Sequence, residues 1–328
     1  MRVIKDMSAE VPDTNGFYFR LEDLSDETSK DNLYNGYNAL HRNYTQGDRQ
    51  ALLNIWMPTE FAQLEDHFGK NGISYNERAK EVYGVCPFTT EWLNRVDPST
   101  EYYYVFYPLN KKDIPPIKEK QFDVCYFGGI HSAIHQETIM LMKNYNYRWM
   151  TMTRGINQYT VQAIKMGLAT DFDLTHNQKL ERLAQCKVSI CYNVVPIDRH
   201  HAMDGGHRIV DQLNHIKSYP NWDTNLAFKH AEIIGAFPQF KSRMHEAAMA
   251  RTLNLVYQDP WKICEDYYDP ETDFVYFYDQ EDLKVKLTHI LNNWDSYQDM
   301  IESAYNKALN YTTENLFSLI RDKKSWKP

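Results

Sequence analysis

"FDVCYFGGIHSAIHQETIMLMKNYNYRWMTMT", residues 122–153, decides how the chain folds. "FDVCYFGG" is an apolar strand-like run that breaks on two glycines. "SAIHQETIMLMKNY" then reads as a helix, and "YRWMTMT" as a strand again. Strand, tight turn, helix and strand with short connections make a crossover unit, which pairs its strands in parallel and needs helices to cover the sheet.

The alternation continues downstream. Helix "QKLERLAQC" and strand "KVSICYNV" follow, then a long polar stretch from Pro196 to about Trp222. Helix "NLAFKHAEIIG" leads into "PQFKSRMHEAAMARTLNLVYQDPW", residues 238–261, which joins a charged, helix-like run to strand "LNLVY". Strand "DFVYFY" and helix "DLKVKLTHILNN" come next, and two helices close the chain. These are "DSYQDMIESAYNKALNY" and "TTENLFSLIRDKK", the second capped by Thr312 or Thr313. Upstream, "GFYFRL", "ALLNIWM", "EVYGVCP" and "YYYVFYPL" read as strands. The segment "NKKDIPPIKEKQ", residues 110–121, is charged, carries Pro115-Pro116 and has no apolar period, so it reads as a linker. The fold class is α/β, two domains in tandem, as the 328-residue length also allows.

Composition narrows the function classes. Hydrophobic residues make up 43% and charged residues 24%, the balance of a globular protein. A net charge of −8 speaks against a broad electrostatic grip on nucleic acid, which needs clustered Lys and Arg. "MRVIKDMSAEVPD" has no apolar core of a signal peptide and no run approaches a membrane span, so a cytoplasmic location is expected. The five cysteines, Cys86, Cys125, Cys186, Cys191 and Cys264, form no CxxC pair and read as reduced, buried thiols.

In an open α/β sheet, ligands lie beyond the carboxyl ends of the strands, and three places stand there. Gly128-Gly129 either lets a phosphate approach the backbone or simply turns the chain. In the 238–261 stretch, Ser242 is the candidate N-cap and Met244, Ala247 and Ala248 form the inward stripe. Arg243 and Glu246 then share another face, as a surface ion pair or as part of a ligand site. Two cations at the start of a helix, Lys241 and Arg243, oppose its dipole unless an anion sits between them, which suits a diphosphate with Glu246 free for ribose hydroxyls. Glu60, after strand "ALLNIWM", is either a general base or a solvated helix-start residue. Two acidic or histidine-rich stretches are read against metal binding: "DRHHAMDGGH" as a flexible loop and "TDFDL", with Asp171 and Asp173, as a helix start.

The second half resembles the donor domain of GT-B glycosyltransferases, near the group 1, spore-maturation-protein branch. Three blocks carry the resemblance in order over residues 120–320 or so: "FDVCYFGG", "PQFKSRMHEAAMARTLNLVYQD" and "YYDPETDFVYFYDQEDLKVKLTHILNN". The resemblance implies two Rossmann-like domains facing across a cleft: an acceptor domain over residues 1–112 and a donor domain over 113–310. Residues 311–328 would be a helix returning to the first domain. It implies a transferase without a cofactor that uses a nucleotide-sugar donor, UDP-sugars being favoured, and the readings of "TDFDL" and "DRHHAMDGGH" make metal independence the expectation. Lys241 and Arg243 would meet the diphosphate, Glu246 the ribose, and Gly128, Gly129 and His131 the phosphate-side turn. The acceptor stays open between carbohydrate, protein and a DNA base such as a hydroxymethylated cytosine, since compact versions occur in bacteriophages. A nucleotide-sugar-binding protein without turnover is the remaining alternative. The chain lacks the first glutamate of the retaining pattern, with Gln239 and Phe240 near its place, which leaves the stereochemical course open.

Overall fold

The computed structural model describes residues 16–20, 50–54, 81–84, 94, 101–106, 109, 111–130, 133–153, 158–196, 236–238, 240–322 and 324–326. The chain divides into two compact units. Unit 1 comprises Met1–Asn110, Gly205–Gln239 and Tyr311–Pro328; unit 2 comprises Lys111–Asp204 and Phe240–Asn310.

Unit 1 carries strands β1 (Gly16–Arg20), β2 (Gln50–Asn54), β3 (Glu81–Gly84) and β4 (Glu101–Tyr104), side by side in that order. β1 and β3 fall within the apolar runs that read as strands, and β2 and β4 begin one residue before theirs. The β2–β3 and β3–β4 pairs are parallel, whereas β1–β2 is antiparallel and departs from the parallel expectation.

Unit 2 is built from β5 (Phe122–Phe127), helix α1 (Ala133–Met142), β6 (Tyr147–Thr151), α2 (Gln158–Lys165), β7 (Asp171–Phe172), α3 (His176–Ala184), β8 (Cys186–Cys191) and β9 (Val194–Pro196). Strand β10 (Ala236–Pro238) belongs to unit 1. Unit 2 resumes with α4 (Arg243–Met249), β11 (Leu253–Tyr257), β12 (Phe274–Phe277), α5 (Gln280–Asn292) and α6 (Gln298–Ala308). The six-stranded sheet runs β12-β11-β8-β5-β6-β7, parallel throughout. Consecutive residues of β5 (Val124 to Phe127) and β8 (Val188 to Cys191) are buried, so both faces of the sheet are covered, as a parallel sheet requires. The order is that of a doubly wound sheet, which reverses between β5 and β8, and such a reversal opens a crevice at the carboxyl ends of those two strands.

Two elements of unit 2 escaped the sequence reading. Helix α2 turns the small residues Thr160 and Ala163 inward, too little apolar mass to show a period. Asp171 is no helix cap but part of edge strand β7, buried by hydrogen bonds from Arg182 Nε (3.0 Å) and the Thr170 hydroxyl (2.9 Å). The cap of α3 is Thr175, whose hydroxyl and the Gln178 side chain form a reciprocal capping box. Asp173 takes a left-handed φ of 45° and accepts hydrogen bonds from the Thr153 backbone (2.7 Å) and hydroxyl.

The segment read as a linker is anchored, not solvated, at its end. Lys120 Nζ donates to the carbonyls of Ala184 (2.9 Å) and Arg251 (2.7 Å), and burial lowers its pKa to about 8. The described cysteines, Cys125, Cys186, Cys191 and Cys264, are free and buried, while Cys86 lies outside the described residues. Helix α7 (Thr313–Asp322) belongs to unit 1. The Thr312 hydroxyl accepts from the Asn315 backbone (3.4 Å) at its start. The return is fixed by Leu109 N–H donating to the Tyr311 carbonyl (2.8 Å) and by Trp326, which packs edge-on against Phe106 and Tyr311. Among the described residues, no helix is long and apolar enough to cross a membrane.

Candidate functional site

Three elements converge on the crevice of unit 2. The first is the end of β5. Gly128 has φ +128°, a conformation in which a side chain is strained. Its amide donates to the Met150 carbonyl (3.0 Å), and its carbonyl accepts from Trp149 Nε1 (2.9 Å). A Cβ at this position would stand 2.6 Å from Nη2 of Arg243. The glycine therefore makes room for a guanidinium that arrives from more than a hundred residues downstream. Gly129 lends its carbonyl to the Tyr126 hydroxyl (3.2 Å).

The second element is the end of β8. Asn193 is fully buried, and its Oδ1 accepts from the Lys241 backbone amide at 2.9 Å while its Nδ2 faces Met244 Sδ at 3.0 Å. This asparagine, unnoticed in the sequence, seats the start of α4.

The third is α4 itself. Ser242 holds the N-cap position, yet its side chain makes no cap hydrogen bond. The expected stripe of Met244, Ala247 and Ala248 is buried, but so are His245, Glu246 and Met249, so the helix has no solvated face beyond Arg243. Arg243 and Glu246 do not form a surface ion pair; each turns to its own partners. The Arg243 guanidinium lies 5.1 Å from the Phe127 ring centroid and 5.4 Å from that of Tyr126. Glu246 is 3% exposed, and its Oε1 takes a 2.7 Å hydrogen bond from Lys179 Nζ of α3. His176 Nδ1, on the same helix, stands 3.8 Å from that oxygen, and its Nε2 stands 3.9 Å from Asp113. Glu246 Oε2 is buried without a hydrogen-bond partner among the described residues.

The charges are unbalanced. Among the described residues no carboxylate forms an ion pair with Lys241 or Arg243. Burial, followed by the neighbouring Arg243, drives the Lys241 pKa well below its usual value. Burial also pulls on Arg243, but Tyr126, Cys191 and Glu246 raise its pKa on balance, so it is above all Lys241 that a bound anion would relieve. The Cys191 thiol beside them is pushed up to about 12 by burial, against the pull of Arg243 and Lys241. Chemically, the crevice offers two cations and a glycine turn for a polyanion, with a half-satisfied carboxylate next to them for hydroxyl groups.

Of the residues predicted from sequence, Gly128, Gly129, Lys241, Arg243 and Glu246 lie in or beside this crevice. Glu60, His131 and the "DRHHAMDGGH" stretch lie outside the described residues. Lys179, His176 and Asn193 were missed; Lys179 and His176 sit in "THNQKLERL", where nothing but the fold points them at Glu246.

No protein-family model matches the chain, and no curated protein matches it in sequence. Solved structures do. HepE from Anabaena, crystallised with UDP-glucose, superposes with a TM-score of 0.52 at 10% identity, covering 83% of this chain and 70% of HepE. TarM from S. aureus gives a TM-score of 0.48 at 10% identity over 78% of this chain, and pneumococcal GtfA 0.45 at 7% over 75%. The chain spans about half the length of these last two, 48% and 45%. The likeness to HepE is one of fold: α/β with a Rossmann-like parallel sheet, as in GT-B glycosyltransferases.

Proposed function

We propose that the chain is a glycosyltransferase whose second unit holds a nucleotide-sugar donor, with a UDP-sugar as the favoured one. The observation that carries this reading is the pairing of unbalanced cations with a half-satisfied carboxylate. Among the described residues Lys241 and Arg243 have no ion-pair partner at the strand-order reversal, beside a glycine that makes room for the guanidinium, and Glu246 Oε2 next to them has no hydrogen-bond partner. A diphosphate satisfies the first pair, and a ribose hydroxyl satisfies the second. The resemblance of three sequence blocks to the spore-maturation branch of GT-B enzymes, and the crystallisation of HepE with UDP-glucose, support the same reading.

In the transfer, the bond between the anomeric carbon and the diphosphate oxygen breaks and its electron pair leaves with the nucleoside diphosphate. The acceptor oxygen forms the new bond to that carbon and gives up its proton. Arg243 and Lys241 stabilise the charge that grows on the leaving group, the role a divalent cation takes in other enzymes. Glu60 of unit 1 is the proposed base for the acceptor proton.

A thermal-shift panel of UDP, GDP and their sugars, followed by donor hydrolysis in excess EDTA, tests the proposal. Stabilisation by one nucleoside diphosphate, with hydrolysis that survives EDTA, is expected. If no nucleotide raises the melting temperature, the donor reading falls; if hydrolysis stops in EDTA and returns with manganese, metal independence falls.

A further inference from the structure

Beyond the cations and Glu246, the loop that leaves β11 carries an unusual set of unanswered polar atoms. Gln258 Oε1, Asp259 Oδ2 and Trp261 Nε1 are all buried, and among the described residues all lack a hydrogen-bond partner. Asp259 is only 1% exposed; its Oδ1 accepts from the Trp261 amide at 2.9 Å, which shapes the loop but leaves the second oxygen over. A buried polar atom left unpaired destabilises the fold, and three within four residues call for a ligand that answers them.

The loop belongs to the same crevice. Strand β11 pairs with β8 with Val256 level with Cys191, so Asp259 emerges just past the end of β8 where Asn193 holds Lys241. The Cys191 thiol feels Arg243, Lys241, Asp259 and Glu246 at once. Burial also pushes the Asp259 carboxyl up to about 6, against backbone amides of Trp261, Ile263 and Lys262.

Direction across the sheet assigns the ligand part. Glu246 is held by Lys179, which lies over the Phe127 ring at the end of β5, and Arg243 stands against Gly128 at the same strand. Lys241 comes next at β8, and Asp259 beyond it at β11. Ribose on Glu246 and diphosphate on the cations place the transferred group at the β11 loop. Two acceptors and one donor repel a phosphate and suit hydroxyls, which both give and take hydrogen bonds.

We propose that the loop Gln258–Trp261 reads the sugar of the nucleotide-sugar donor, with Asp259 and Trp261 as its specificity-determining residues. This rests on the donor reading above. Asp259→Asn and Trp261→Phe, the second of which keeps an aromatic ring but has no N–H, are to be titrated calorimetrically with UDP and UDP-glucose, with GDP and GDP-mannose in parallel. Each variant should bind the nucleoside diphosphate within about twofold of wild type, yet bind the matching nucleotide sugar roughly five- to tenfold more weakly, the worth of one hydrogen bond. Equal weakening of both ligands, or no change in either, would overturn the assignment, with melting curves showing that the variants are folded. A wild-type chain that binds none of the four ligands would instead remove the donor reading and this proposal with it, a result the variants cannot imitate.

Discussion

Replacing Gly128 with alanine probes the contact on which the site is built. The backbone there cannot slip aside, because the Gly128 amide is tied to the Met150 carbonyl and its carbonyl to Trp149, a side chain with no exposure. Two costs follow. A side chain at φ +128° stores strain on the order of 1–3 kcal/mol. The new Cβ would also lie 2.6 Å from Nη2 and 3.2 Å from Cζ and Nη1 of Arg243, against an ordinary contact of 3.4 Å or more. The guanidinium is the softer partner and moves by roughly 0.8 Å, enough to spoil a charge-assisted hydrogen bond. That bond is worth about 1.5–3 kcal/mol, or roughly ten- to hundredfold in affinity. Calorimetric titration of UDP into Gly128→Ala, Arg243→Ala and the double variant should show that the single losses do not add. Gly128→Ala should lose most of what Arg243→Ala loses, and in the arginine-free background it should cost less than about twofold, a coupling of at least about 1 kcal/mol. Urea unfolding in that background should retain the backbone strain alone. Strictly additive losses of affinity would mean that the glycine and the arginine act independently, and the steric argument would be refuted.

Lys179→Met should destabilise the protein by about 3 kcal/mol in urea unfolding: it strands the Glu246 carboxylate, and the partial exposure of Lys179 keeps the figure at the low end of the range for a broken buried pair. Adding Glu246→Gln should recover most of that loss; no recovery would show that the lysine matters through packing instead. His245 supplies a pH signature. Its Nδ1 lies 2.7 Å from the Tyr268 hydroxyl, and burial lowers its pKa from 6.5 to about 3. The unfolded chain therefore binds a proton that the native state refuses, and the stabilisation present above pH 6.5 drains away as the pH falls toward 3. Between pH 6.5 and 4 the loss is about 3 kcal/mol, so His245→Gln should have a flatter acid limb than wild type in urea unfolding by that amount, and parallel profiles would refute the assignment.

The sequence by itself determined the elements whose signal is local. Apolar runs such as "FDVCYF" and "LNLVY" are strands because a parallel sheet buries both faces and tolerates no polar alternation. Gly128-Gly129 announced a turn, and Lys241, Arg243 and Glu246 stood out as charges crowded beside an aliphatic strand. Signals of two residues or of small side chains went unread, which is why β7 and α2 were passed over. The tertiary structure alone decided which distant residues meet. That Arg243 fills the space left by the missing Cβ of Gly128, that Lys179 rather than a neighbour on its own helix answers Glu246, and that the β11 loop opens onto the same crevice all follow from strand order. Strand order is set by how helices pack across the sheet, a matter of surfaces far apart in the chain, and no spacing within one segment records it.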